Sequence, residues 1–226
     1  MIRSDGMHES PSSAGEPVIV EAFDLAIKPA EVQRLLGRKG GRPADMAGRF
    51  DGVIAEAIER AGALIAPKGV YVYAAGAELA GSSVFAELER MAFAVCTIGP
   101  ALESEVTRLS AADELLHAVV LDAVGSVAAE AAAEWLSGQI ARQCAAGGLN
   151  ISCRASPGYG NWDVREQRAI FALVPAERIG VRLSESCMMM PRKSVSFAVN
   201  IAAEPVALRS EHSCQNCPRT QCPYRR

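Results

Sequence analysis

The segment Arg154-Ala155-Ser156-Pro157-Gly158-Tyr159-Gly160 gathers in seven residues the groups that a charged, amino-acid-like ligand would need. An arginine offers a planar fork that takes a carboxylate through two parallel hydrogen bonds. Glycines let a ligand approach bare backbone, and proline stiffens the turn. A tyrosine set between two glycines can stand clear of the loop and offer its π face to a positive centre. A solvated turn that happens to carry one arginine fits the same residues, so chemistry alone leaves both readings open.

Two further clusters could do chemistry. Met188-Met189-Met190 precede Pro191, and such a run serves either as an adaptable apolar surface or as core filler. Near the C-terminus, Cys214, Cys217 and Cys222 form a C-x2-C-x4-C set whose soft thiolates suit zinc or an iron–sulfur centre. A fourth ligand would have to come from His212 or from a cysteine of the body such as Cys187. Free or paired thiols are the alternative. Glu103, Glu114, Asp122 and Glu130 fall in helical stretches and read as solvated faces. His8 and His117 have no motif around them. The sequence has no P-loop, no nucleophile elbow and no strand-placed G-x-G-x-x-G.

The elements that must position these residues follow from hydrophobic periodicity. Strands are expected at VIVEAFDLAI, VYVYAAG, AFAVCTIG, around NISC, at RIGVRLSESC and at SVSFAVNIA. Helices are expected at AEVQRLLG, ADMAGRFDGVIAEAIERAGALI, SSVFAELERM, ALESEVTRLS and DVREQRAIFALV, with the longest over residues 111–146. Gly125 and Ser126 mark a kink or a close helix–sheet contact in that long helix. MMMPRK reads as a loop, and Gly147 and Gly148 as a helix stop. Helices and strands mix without a βαβ repeat, which predicts an α+β fold: a bent, largely antiparallel sheet flanked by helices. Three parts are expected: a disordered arm (1–17), the α+β domain (18–208) and a Cys-rich tail (209–226).

Composition narrows the function. The 226 residues are 50% hydrophobic and 22% charged, enough for a sizeable core without metals or disulfides. The formal charge of −3 lacks the basic footprint that nucleic acid demands. No uninterrupted apolar run has the length of a membrane span, and the first residues lack the apolar core of a secretory signal. Seven cysteines, an odd number clustered at one end, do not form a secreted disulfide framework. A cytoplasmic protein with no nucleic-acid or membrane partner is expected.

RASPGYG followed by a helix and then by IGVRLSESCMMMPRKSVS resembles the reactivation (AdoMet-binding) domain of cobalamin-dependent methionine synthase. LLGRKGG, TIGPALE, LDAVGSVAAE and the terminal cysteine pattern extend the resemblance over roughly residues 21–226, and the segment order is that of short stand-alone relatives. The resemblance implies a domain that holds S-adenosylmethionine (AdoMet) against a cobalamin, so that an electron and a methyl group restore an oxidised corrinoid. Carried over by motif, Arg154 binds the AdoMet carboxylate, and Ser156 contributes a backbone contact. Gly158 and Tyr159 approach the sulfonium and the corrin, with Tyr159 closest to the chemistry, and Glu130 is a helix acid near the ligand. The chain lacks the family's N-terminal acidic contact and the tyrosine pair after the Ser-Val-Ser strand. It also lacks a cobalamin-binding Asp-x-His-x-x-Gly motif. Cobalamin would therefore arrive on a partner, a corrinoid-binding methyltransferase or methionine synthase core, with a separate electron donor. The cysteine tail is foreign to the full-length synthase and could hold an iron–sulfur cluster or zinc. Two alternatives stay open: a corrinoid-protein docking or metal-carrying module without AdoMet chemistry, and a zinc–thiol site for homocysteine.

Overall fold

A computed structural model of the chain describes residues 15–37, 44–82, 84–159 and 162–204. The order of elements is β1 (Val18–Val20), α1 (Pro29–Leu35), α2 (Ala44–Leu64), β2 (Lys68–Ala74), β3 (Met91–Thr97), α3 (Ala101–Ala111), α4 (Leu115–Ala146), β4 (Asn150–Ile151), α5 (Gln167–Leu173), β5 (Arg182–Leu183), β6 (Met189–Met190) and β7 (Ser194–Ala202). Five strands form one sheet in the order β1-β2-β3-β7-β4, and every neighbouring pair is antiparallel. The expected α+β architecture is the one observed.

The central strands bury both faces, and the two-residue period of a strand divides the core in two. On β3, Ala92, Ala94 and Cys96 face one cluster with α4, while Met91, Phe93 and Val95 face the other. The first cluster is large because α4 is apolar nearly all round, with fifteen buried residues. A helix of that kind belongs in a core. It is long and apolar enough to cross a membrane on composition alone, yet over half of its most apolar window is buried inside the protein. The second cluster packs Leu79, Phe85, Trp162, Ile170 and Ile179 against the opposite face of the sheet. On β7 that face turns polar: Ser194, Ser196 and Asn200 are buried there. Ser196 Oγ donates to Gln167 Oε1 at 3.1 Å, and Gln167 Nε2 donates to the Cys187 carbonyl at 3.1 Å.

Several sequence expectations are corrected. SSVFAELERM is no helix: the described part of it runs through turns. Leu79 and Phe85 anchor the segment 75–90 separately in the second core, and the Gly76 amide donates to the Leu88 carbonyl at 2.7 Å. Isolated anchors of this kind outweigh helix propensity. A Cβ on Gly76 would overlap the Phe85 carbonyl, and that neighbour is backbone. Gly76→Ala should therefore destabilise the fold by about 2–3 kcal/mol, seen as a lower urea midpoint with an unchanged slope.

β1 stops at Val20 because only Gly69–Tyr71 pair with it. Beyond it Phe23, Leu25 and Ile27 pack on the α4 core, with Phe23 4.6 Å from the Trp135 ring. The run expected as one helix from 111 begins at Leu115, since Asp113 adopts a left-handed φ of 60° between α3 and α4. Only Arg182–Leu183 of RIGVRLSESC is strand, and it pairs with Met189–Met190, part of the block read as loop. Of the expected N-terminal arm, residues 15–17 are described, and the Gly15 amide donates to the Tyr73 carbonyl at 2.8 Å.

Candidate functional site

After β4 the chain stays beside β7. Ser152 N donates to Asn200 O at 2.9 Å, and Ala155 and Ala198 exchange both backbone bonds at 2.8–2.9 Å. This edge pairing fixes Arg154, which lies between the two anchors. Its guanidinium sits 5.6 Å from the centroid of the Phe197 ring on β7. Its Nη2 reaches Glu130 Oε2 at 3.2 Å and Glu134 Oε2 at 3.3 Å, both on α4. The arginine side chain is 18% exposed, Glu130 38% and Glu134 74%. Both ion pairs use Nη2, and neither involves Nε or Nη1.

Past Ala155 the chain makes the turn that the glycine permits. Gly158 has φ 88°, a left-handed conformation that side chains disfavour, and its amide donates to Trp162 O at 2.7 Å. Tyr159 N donates to Ser156 O at 3.2 Å, which places Ser156 at the base of the turn. Tyr159 is 53% exposed. Trp162 anchors the far side: it is buried, edge-on to Phe85 at 4.8 Å, and its indole N–H donates to Glu166 Oε2 at 3.2 Å. Asp163 then caps the helical turn, accepting Arg165 N at 2.8 Å, and the Arg165 guanidinium holds its carboxyl down near 2. Beside the turn, Val164 lies 3.6 Å from where a Cβ on Gly158 would be and is half-exposed; Met188 and Met190, at β6, are half-exposed as well.

The sequence-expected residues Ser156, Gly158 and Tyr159 thus share one turn, Arg154 lies just before it at the sheet edge, and Glu130 meets Arg154 across 24 positions. Glu134 and Trp162 were missed. Glu134 sits one helical turn beyond Glu130 on the same side of α4, a spacing visible in the sequence once Glu130 is singled out. Trp162 directly follows the motif, and its bulk was the available signal.

Three other motifs converge a few turns along α4. Lys193 Nζ pairs with Asp122 Oδ1 at 2.8 Å and donates to Ser126 Oγ at 2.9 Å, while the Lys193 amide donates to Glu103 Oε1 at 2.6 Å. TIGPALE, LDAVGS and MMMPRKS are therefore clipped together, and Glu103 and Asp122 are not the solvated faces expected of them. Gly125 makes the close approach possible, since a Cβ there would lie 2.6 Å from Leu102 Cδ2 and 3.3 Å from Lys193 Cε. The contact is with α3 and this loop rather than with the sheet, and α4 runs through without a break.

Beneath Arg154 lies Cys96, fully buried on β3. Burial pushes its thiol up from 9.0 to about 12, with Glu130 adding to the rise and Arg154 opposing it. The unfolded chain loses this proton first, so stability should fall as pH rises from about 9 toward 12. In thiol mapping near neutral pH, exposed Cys153 should label readily, while Cys96 stays unlabelled until the protein unfolds. Labelling of Cys96 at the rate of Cys153 would contradict its placement.

No group of three His, Cys, Asp or Glu side chains arranged to hold a metal occurs among the described residues. Cys214, Cys217 and Cys222 lie outside them. Cys187, considered above as a fourth ligand, is buried with its Sγ 4.0 Å from the Arg165 carbonyl. A cavity of about 600 Å³ lies toward the far end of α4, lined among others by Tyr73, Arg90, Met91, Gln143, Cys144 and Ile201, away from the Arg154 turn.

The family model for the vitamin B12 dependent methionine synthase activation domain matches residues 86–207, a span that holds α3, α4, the Arg154 turn and β7. Among solved structures, the MetH reactivation domain bound to AdoHcy is similar in fold, with a TM-score of 0.60 at 16% identity over 88% of this chain and 83% of that one. No curated protein matches the sequence. More than half of the chain lies within the family match, and its antiparallel sheet and flanking helices agree with the solved fold; the chain belongs to the activation-domain family of vitamin B12-dependent methionine synthase.

Proposed function

We propose that this chain binds AdoMet by its amino-acid end at Arg154 and presents the sulfonium to a corrinoid carried by a partner, supporting reductive methylation of that corrinoid. One observation carries the reading: an arginine is fixed between a sheet edge, an aromatic face and two carboxylates, next to a turn that exposes Tyr159. The donor set fits the ligand, with a guanidinium for its carboxylate and two carboxylates for its positive groups. The related MetH reactivation domain, solved with AdoHcy bound, supports the same ligand class.

The methyl group comes from AdoMet, and the metal chemistry belongs to the corrinoid when it is docked. This chain's residues orient and shield. Edge pairing of residues 152–155 with β7 keeps Arg154 in place. The Gly158 turn brings backbone and the Tyr159 ring to the open side. The half-exposed Tyr159 and Val164 supply apolar surface at the turn, and Met188 and Met190 are proposed as further apolar contacts against which a flat macrocycle and its carrier can exclude water. The partner in this reading is a corrinoid-binding methyltransferase or methionine synthase core in the cytoplasm, served by an electron donor. The tail cysteines Cys214, Cys217 and Cys222 are proposed, on spacing alone, as an iron–sulfur or zinc site. Iron and acid-labile sulfide analysis of anaerobically purified protein tests that assignment.

A second reading, a docking module without AdoMet chemistry, draws on the arginine's engagement with Glu130 and Glu134 of its own chain. Titration calorimetry with AdoMet separates the two. Micromolar affinity supports the first; millimolar affinity or none leaves the docking module.

A further inference from the structure

Arg154 brings one positive charge to two carboxylates, those of Glu130 and Glu134. Among the described residues no other cation pairs with either carboxylate: Arg142, whose Nη1 would lie 3.5 Å from a Cβ at Gly138, donates through Nη2 to Gln139 Oε1 at 2.8 Å. Lys193 is paired with Asp122, and the Cys96 thiol beneath, pushed up to about 12, is neutral at physiological pH. Counting the charges in direct contact among the described residues, Arg154 against Glu130 and Glu134, one negative charge is in excess. Two ligands with the same amino-acid end meet it differently. AdoHcy carries an ammonium and a carboxylate and is neutral overall, whereas AdoMet adds a sulfonium and is a monocation. When AdoMet gives up its methyl group, the electron pair of the broken C–S bond stays on sulfur and that extra charge disappears.

We propose that Glu134, acting with Glu130, makes this site select the cationic sulfonium over the neutral thioether product, so that loss of the methyl group itself weakens binding and promotes release. The inference rests on the AdoMet reading above and adds a specificity determinant to it. Glu134 is the residue to vary because its side chain is 74% exposed, so its replacement leaves the fold intact.

Glu134 has two effects, and they separate cleanly. It competes with any incoming carboxylate for Arg154, a cost common to both ligands. It attracts the sulfonium, a gain open to AdoMet alone. The ratio of the two dissociation constants cancels the first effect and retains the second. A unit charge close to a second one, across a partly solvated surface, changes that ratio by about three- to eightfold.

The test is calorimetry of the full chain with AdoMet and with AdoHcy, for wild type, Glu134→Gln and Glu134→Lys. Wild type should prefer AdoMet, Glu134→Gln should reduce the preference about three- to eightfold, and Glu134→Lys should reduce it further. Raising the ionic strength should shrink the wild-type preference as the exposed charge is screened. If both variants bind both ligands with the wild-type ratio, or if wild type prefers AdoHcy, selection by Glu134 is wrong while the binding site stands. If wild type binds neither ligand, the AdoMet reading itself fails, and this inference goes with it.

Discussion

Arg154→Ala should abolish AdoMet binding at accessible concentrations, weakening it by about 100-fold or more, while leaving the fold almost as stable as before. The loss is large because a guanidinium–carboxylate contact at a partly buried site costs about 2–5 kcal/mol when one partner is removed. Stability changes little because the native ion pairs of Arg154 run to carboxylates that are 38% and 74% exposed, and solvent screens such pairs to about 1 kcal/mol or less. Arg154→Lys separates charge from geometry: it keeps the positive charge but loses the planar fork, so an intermediate affinity is expected. Calorimetry paired with thermal melts reads both quantities. Wild-type affinity in Arg154→Ala would move the AdoMet site elsewhere, and the cavity of about 600 Å³ beside Tyr73 and Gln143 would be the next place to examine.

Trp162→Ala is expected to give the largest stability loss of any single change near the site, about 3–5 kcal/mol. The indole is 1% exposed, packs edge-on to Phe85 and donates to Glu166, and the backbone carbonyl of Trp162 receives the Gly158 amide. Truncation leaves a cavity in the second core and unties the turn that presents Tyr159. Trp162→Phe keeps most of the volume and loses the indole hydrogen bond, so its cost should be near half. Urea denaturation measures both. If the alanine variant unfolds within about 1 kcal/mol of wild type, the turn is not anchored through this side chain.

How much of this was legible in sequence depended on the range of the interaction. β3, β7 and α4 were readable because each carries its own period: β7 follows SVSFAVNIA residue for residue, and Gly147 stops α4 where expected. The turn from Ser156 to Tyr159 was readable because glycine and proline dictate local backbone. SSVFAELERM (82–91) mimics a helix in its mix of charged and apolar residues, while its conformation follows from Phe85, with Leu79 just before it, reaching separate places in the core. Glu103 and Asp122 looked solvated for a similar reason: their partners, Arg192 and Lys193, lie on a loop some 70 to 90 residues away.

By itself the sequence determined the family and the α+β class, and it singled out the groups proposed to hold a charged amino-acid end, because motif order, strand alternation and turn chemistry are local properties of the chain. Only the tertiary structure decided how those groups are charged and aimed. Glu130 and Glu134 meet Arg154 because β7 lies beside α4, and Trp162 anchors the turn because the sheet's second face has a core of its own. Electrostatic balance and burial depend on distances in space, and residues 20 or more positions apart acquire those only when the chain packs.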